Sequence, residues 1–141
     1  MTPLDLTLAP PRSAHAEAAG IVFLPRTIDK IRATLPGGKL GEYNVGGFSE
    51  TMIEELGLTV ASLTAAVADA ATEDDLLAMV RREARPGGDA AWNRFARNRE
   101  IYNGDRADAI ADFPWLADRP DVKLTLDFID EDDRRTFAAA P

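Results

Sequence analysis

Residues 21–44, IVFLPRTIDKIRATLPGGKLGEYN, form the stretch that decides the fold of this chain. Its apolar side chains recur every three or four residues, which is the spacing of one buried helix face. They are Ile21, Leu24, Ile28, Ile31 and Leu35. Pro25 falls in the first turn, where a missing N–H is tolerated, and the run Pro36, Gly37, Gly38 stops the helix. We therefore predict an amphipathic helix over residues 21–35, then a glycine turn and a short extended segment.

Further helices are predicted from capping residues and glycine stops over residues 50–56, 60–70, 90–102 and 106–112, with another after Thr72. Near the C-terminus, apolar and polar residues alternate over 122–129, which favours a strand, although Leu124 and Phe128 alone also fit a helix. The sequence thus predicts a mainly α fold, a single compact domain over residues 1–141 with five or six helices and one or two short strands. Residues 1–20 are predicted to be an extended arm and residues 134–141 a flexible tail.

Composition excludes several kinds of site. The 141 residues are 45% hydrophobic, which is enough to build a core and argues against wholesale disorder. There is no cysteine and one histidine, so disulfides, thiolate metal sites, cysteine nucleophiles and multi-histidine metal sites are excluded within one chain. The acidic run 127–133 lacks the glycine and glutamate offsets of a calcium loop. We expect neither a metal nor a cofactor.

Charge and hydropathy indicate the surroundings in which the protein acts. The net charge of −8 argues against general binding of nucleic acid, because phosphates need a clustered positive surface. No run approaches the ~18 apolar residues that span a bilayer, and the N-terminus lacks the pattern of a signal peptide. We expect a soluble cytoplasmic protein that binds neither nucleic acid nor membrane, with an oligomeric state that the sequence leaves open.

The first candidate site is a polar cluster on and just after the first predicted helix. Arg26 and Arg32 each lie three residues from Asp29, so both pairs are close on a helix. If Glu42 and Tyr43 fold back over this helix, a carboxylate, a phenol and guanidinium groups converge. Such a set suits proton transfer and the binding of an acidic ligand.

The alternative is that this cluster is an exposed face with weak ion pairs, each contributing about 0.3–0.5 kcal/mol. That interpretation is strongest for Lys30, which points most directly away from the apolar seam. We likewise expect the single histidine, His15, to be solvated, because a histidine in an irregular segment is more often solvated than catalytic.

The second candidate is a helical stripe in which a charged residue interrupts aromatic ones, namely Trp92, Phe95, Arg99 and Tyr102. Arg99 is the anomaly, because a guanidinium there must pair with a carboxylate, stack on an aromatic ring or contact a ligand. We favour a structural salt bridge to Asp29 or Glu42. Asn93 could either cap a loop or line a pocket.

At these residues the sequence resembles a family catalogued as domain of unknown function (DUF) 5069, found mainly in bacteria. The resemblance implies a cytoplasmic, compact helical domain and carries no established activity. It departs from the family after Tyr43, where relatives often read Asn-Cys-Pro-Leu-Asp and this chain has Asn44 to Phe48 without cysteine, proline or aspartate. The resemblance runs through Asp5-Leu6, Pro11-Arg12-Ser13, Leu24-Pro25-Arg26, Asp29-Lys30, Arg32-Ala33, Gly41-Glu42-Tyr43, Trp92-Asn93 and the stretch 126–133.

Two functions fit these residues. The first is a small cofactor-independent acid–base enzyme, a lyase, isomerase or cyclase, acting on a small organic substrate that the arginines would suit if it is anionic. Asp29 or Glu42 would be the base and Tyr43 the proton or hydrogen-bond donor, with Phe95 helping Trp92 to form an apolar wall. The groups assigned to ligand binding are Arg12, Arg26, Arg32, Trp92, Asn93 and Arg99.

The second function is a non-enzymatic module that binds a small ligand or another protein. The same charged residues would then form a structural network tying the N-terminal arm to the first helix. An enclosed cavity of ~300 Å³ or more beside these groups would favour the enzyme, and a filled interior would favour the network.

Overall fold

The computed structural model describes residues 1–138, and over this range the protein is mainly helical. Seven α-helices and one two-stranded antiparallel sheet are present in the described range, whereas the sequence predicts five or six helices. The chain divides into two compact units, Met1–Asn93 and Arg94–Pro141. The elements are β1 Glu17–Ala18, β2 Ile21–Val22, α1 Leu24–Thr34, α2 Phe48–Glu55, α3 Val60–Asp69, α4 Glu73–Glu83, α5 Gly88–Asn98, α6 Arg106–Asp112 and α7 Thr125–Ala138.

The first helix begins three residues later than the sequence predicts, because a hairpin precedes it. Ile21 and Val22 form β2 and pair with β1 across a two-residue turn. Both turn residues, Ala19 and Gly20, have positive φ angles, as hairpins of this length prefer. Residue Phe23 then adopts a left-handed conformation, with φ of 74°, before α1 begins. The apolar seam is nevertheless buried as predicted, with the side chains of Ile28 and Ile31 fully covered.

Capping explains where the middle helices begin. Thr59 accepts a hydrogen bond from the Ser62 amide at 3.0 Å in a reciprocal capping box, and α3 begins at the next residue. Thr72 caps α4 in the same manner by accepting from the Asp75 amide at 3.1 Å. Both caps confirm the sequence-based prediction.

The N-terminal arm is held along the first unit by backbone hydrogen bonds. Leu6 N–H donates to the Lys39 carbonyl at 2.8 Å, and Lys39 N–H donates to the Leu4 carbonyl at 2.9 Å. Arg32 adds its Nε–H, which donates to the Thr2 carbonyl at 2.7 Å. The extended arm is therefore fixed against the turn that follows α1, and the side chain of Leu6, within the arm, is buried.

The predicted strand over 122–129 is wrong, because α7 occupies most of this range. Helical spacing brings Glu131 against Arg134 and Arg135, at distances of 2.6 and 3.0 Å, and an extended chain would separate these groups. Val122 and Leu126 are both buried, Val122 in the segment before α7 and Leu126 in the first turn of the helix. Residues 134–138 continue α7, and the rest of the predicted tail lies outside the described residues.

The second unit has a small apolar core, which a single arginine reinforces. The guanidinium of Arg106 donates to the carbonyls of Leu116, Arg119 and Val122 at 2.7–2.9 Å, so it closes the irregular segment between α6 and α7. None of the described helices is long and apolar enough on its own to cross a bilayer, although α2 and α3 together, bent by 91°, meet the length and composition required. The core consists of Ile101, Ala109, Leu116 and Val122, with Ile110, Phe113, Trp115 and Phe128 packed against it.

Candidate functional site

Arg12 joins three segments of the first unit. Its Nε and Nη2 atoms donate to the Asp29 carboxylate on α1 at 3.0–3.2 Å. Its two terminal nitrogens also donate to Glu73, the first residue of α4. The backbone N–H of Arg12 donates to Asp29 Oδ2 at 2.8 Å, and Arg32 Nη1 lies 3.9 Å from Oδ1. The Arg12 network, comprising Arg12, Asp29, Arg32 and Glu73, therefore ties the arm to α1 and α4.

The charges of this network stabilise one another. Hydrogen bonds from Arg12 lower the pKa of Glu73 below its usual value. In return, Glu73 foremost and then Asp29 raise the pKa of Arg12. The Asp29 side chain is only 7% exposed, which makes its pairing with Arg12 necessary rather than incidental. Within residues 1–138 no buried side-chain nitrogen or oxygen lacks a hydrogen-bond partner.

The other flank of α1 carries two buried cations against aromatic rings. Arg26 is 4% exposed, and its Cζ lies 5.8 Å from the Phe23 ring centroid and 5.4 Å from that of Tyr43. Lys30 is 6% exposed, with its Nζ 5.3 Å from the Phe23 centroid. The expectation of an exposed Lys30 is therefore wrong, because its stem and ammonium group cover the Phe23 ring. Tyr43 folds back onto α1, as the sequence-based hypothesis requires.

Glu42 does not accompany its neighbour. Its side chain is exposed, and no hydrogen bond or ion pair of its carboxylate occurs within residues 1–138. The glycine turn therefore separates the two residues, with Tyr43 half-buried against Arg26 and Glu42 facing solvent.

Trp92 and Asn93 hold the hairpin that precedes α1. The indole N–H of Trp92 donates to the Val22 carbonyl at 2.8 Å, and the ring is fully buried against Phe23, 6.4 Å between centroids. Asn93 accepts from the Val22 amide at 2.9 Å and donates to the Gly20 carbonyl at 2.7 Å. Of the two alternatives for Asn93, the structure thus shows the loop cap. These bonds also hold Phe23 in its left-handed conformation, which is costly for a bulky residue.

Arg99 lies in the second unit and stacks on an aromatic ring. Its Cζ is 5.5 Å from the Phe95 centroid, and Phe95 itself is 41% exposed. The favoured salt bridge to Asp29 or Glu42 is not formed, since Asp29 is engaged by two other arginines and Glu42 carries no ion pair within residues 1–138. Stacking was one of the three alternatives for this guanidinium.

A groove in the second unit borders a strained turn. Tyr102 and Asn103 have φ angles of 51° and 58°, which for residues with side chains costs about 1–3 kcal/mol each, less for asparagine. Gly104 follows with φ of 88°, and a Cβ there would meet Glu100 Oε2 at 3.0 Å. The groove has a volume of about 390 Å³. It is lined by Phe95, Asn98, Arg99, Glu100 and Asn103.

The sequence did not reveal the partners that complete these arrangements. Glu73 lies 61 residues from Arg12, and nothing in the sequence signals the bond between them. The buried hydroxyl pair of Thr27 and Ser49, 3.0 Å apart, was likewise missed. A polar residue on the buried face of an amphipathic helix, as Thr27 is, was the available signal. No group of three or more histidines, cysteines, aspartates or glutamates in residues 1–138 is arranged to hold a metal ion.

A family model matches residues 8–135, which is nearly the whole chain, and is described as Domain of unknown function (DUF5069). No curated protein matches the sequence. The matched range includes the Arg12 network, the Phe23 ring with the two cations packed on it, and the groove beside Arg99.

Proposed function

Since this chain belongs to the DUF5069 family, whose description states no activity, we propose from its geometry that it is a non-enzymatic module that binds a small ligand. The observation that carries this proposal is the Arg12 network. In it, Asp29 and the two arginines nearest to it, which a catalytic site at α1 would use, are engaged with one another. The first unit then serves as a scaffold, and ligand contacts fall to charged groups that form no ion pair within residues 1–138.

Asp29 is poorly suited to act as a base. Its two oxygens accept from the side chain and the backbone of Arg12, and Arg32 lies nearby. Both carboxylate oxygens are therefore occupied by donors from Arg12, which leaves neither oxygen directed at a substrate. Arg12, in turn, spends its donors on two carboxylates, so it has little capacity for an acidic substrate.

One observation favours the acid–base enzyme as a second candidate. The ring of Tyr43 lies over the Arg26 guanidinium, 5.4 Å from Cζ, on the flank where the sequence-based hypothesis requires a proton donor. In that function, solvent-exposed Glu42 would become a base only once a substrate covered it.

A single experiment separates the two functions. Isotope-labelled protein is mixed with a defined panel of organic acids, amino acids and sugars, and the protein amides and the small-molecule signals are followed together by NMR. Shifted amides with unchanged small molecules support the binding module. Conversion of any compound that is lost in both Glu42→Gln and Tyr43→Phe would establish the enzyme and refute our proposal.

The network itself supplies the matched variant. Arg12→Ala should leave the amide shifts caused by the panel in place while lowering stability, because the network holds the arm and not the ligand. Arg82→Ala is the control, since it removes an arginine whose ion pair with Glu83 lies on the surface. Loss of binding in Arg12→Ala but not in Arg82→Ala, with the fold retained, would place the network in the ligand site and contradict the proposal.

A further inference from the structure

Two adjacent residues of opposite charge line the groove in the second unit without forming an ion pair. They are Arg99 and Glu100, and neither pairs with the other or with any charged group in residues 1–138. Elsewhere in the same unit, Arg119, Arg134 and Arg135 share Glu131 at 2.6–3.0 Å. The groove thus retains one cation and one anion, whereas Arg106, Arg119, Arg134 and Arg135 of the same unit are engaged in hydrogen bonds or ion pairs.

The remaining walls of the groove provide an apolar surface and amide groups. Phe95 presents a ring that is 41% exposed, with the Arg99 guanidinium stacked against it. Asn98, which also lines the groove, donates its Nδ2–H to the Arg94 carbonyl at 2.7 Å. Asn103 lines the groove from the left-handed turn, whose backbone conformation is costly for a residue with a side chain. A volume of about 390 Å³ is of the size that small ligands occupy.

From these features we propose that the groove binds a small zwitterion, a molecule carrying both a carboxylate and an ammonium group, with an apolar side group against Phe95. The carboxylate is held by Arg99, whose planar donors match it, and the ammonium by Glu100. This assignment rests on the binding module proposed above and names its site and its ligand class.

The pairing of opposite charges excludes simpler ligands. A monovalent anion at Arg99 would be repelled by the Glu100 carboxylate, and a cation at Glu100 would be repelled by the guanidinium. A phosphate would meet the same carboxylate with twice the charge, in a chain whose net charge is −8. Only a ligand with both signs satisfies both side chains at once. An amino acid with an aromatic side chain also uses the Phe95 ring.

The test is an NMR titration of the full chain with L-phenylalanine and two matched analogues. Phenylpropionate retains the carboxylate alone, and phenethylamine retains the ammonium alone. We expect L-phenylalanine to shift the amides of residues 95–104, and each analogue to bind about tenfold more weakly, as expected for one lost charge-assisted bond. Arg99→Gln and Glu100→Gln should each weaken L-phenylalanine by about the same factor.

The controls use the other adjacent Arg–Glu pair of the chain. Arg82→Gln and Glu83→Gln change the net charge equally at an exposed site of α4 and should leave the affinity within about twofold. Unshifted amides at 95–104, or analogues that bind as tightly as L-phenylalanine, would overturn the assignment. If panel compounds bind without conversion but L-phenylalanine leaves the amides of residues 95–104 unshifted, the zwitterion assignment alone fails. If the protein converts a compound, the proposed function fails.

Discussion

Replacing Arg12 by alanine is the sharpest test of the structural account. The substitution removes the side-chain hydrogen bonds to Asp29, at 3.0–3.2 Å, and those to Glu73. Asp29, whose side chain is 7% exposed with Arg12 in place, keeps the Arg12 backbone amide at 2.8 Å and Arg32 at 3.9 Å as its remaining partners. The carboxylate is then buried without its principal counter-ion.

The expected loss of unfolding free energy depends on how exposed Arg12 and its two carboxylate partners are. Leaving a buried polar group short of a partner costs about 1–3 kcal/mol, and breaking a fully buried ion pair costs ~3–5 kcal/mol. Arg12 is 39% exposed and Glu73 32%, so screening by solvent keeps the loss in the lower range. We expect Arg12→Ala to lower the free energy of unfolding by about 1–3 kcal/mol.

Urea unfolding followed by circular dichroism measures the total loss, and hydrogen exchange at the amides of α1 locates it. Arg82→Ala serves as the reference and should cost less than about 0.5 kcal/mol. Adding Asp29→Asn to Arg12→Ala should recover part of the loss, because the unpaired charge is then removed. An Arg12→Ala variant as stable as Arg82→Ala would refute the structural role of the network.

Three further predictions concern other parts of the fold. A hydrogen bond from Arg134, together with Arg119 and Arg135, lowers the pKa of Glu131 to about 2, below its unfolded value near 4.5. The stability that the Glu131 carboxylate contributes is complete above about pH 4.5 and is lost as the pH falls toward about 2, so acid unfolding of Glu131→Gln should be less steep between these pH values. Arg106→Ala should lower stability by about 1–3 kcal/mol, because three carbonyls lose the guanidinium as a donor and those of Leu116 and Arg119 keep only a backbone amide. Protection from hydrogen exchange should drop in residues 116–122, and equal protection in the variant and the parent would contradict the role of Arg106. Gly38→Ala should lower the free energy of unfolding by about 1–3 kcal/mol, measured by thermal denaturation, because the added Cβ would lie 2.5 Å from the Ala33 carbonyl oxygen. Gly87→Ala is the comparison, since its added Cβ meets nothing within 4 Å and it is strained only by its positive φ of 79°.

Local sequence signals predicted the helices well where the contacts that define a helix are made between residues close in sequence. The Thr59 and Thr72 caps act within three residues, so their effect is legible without a tertiary structure. The apolar seam of α1 was read correctly for the same reason. The start of α1 was misplaced because the hairpin that takes Ile21 and Val22 is held by Trp92 and Asn93, about seventy residues away.

The errors share a physical cause. Alternation over 122–129 is compatible with a strand, and only the later residues of α7, through Glu131 and its arginines, decide for a helix. The site was predicted in part, since Arg26 and Tyr43 do meet, but the burial of Lys30 depends on the ring of Phe23 being turned toward it. The direction of the Phe23 ring follows from the left-handed backbone of that residue, which the periodicity of the sequence does not indicate.

The separation between Arg12 and Glu73 has a consequence for biosynthesis. Arg12 leaves the ribosome 61 residues before Glu73, so the arm cannot bond to α4 during the first part of translation. Lys39, Arg32 and Asp29 are available earlier, but Asp29 holds only one side of the guanidinium. The bond between the arm and α4 is thus a late step, and a chain released before residue 73 keeps its arm on α1 and the following turn alone.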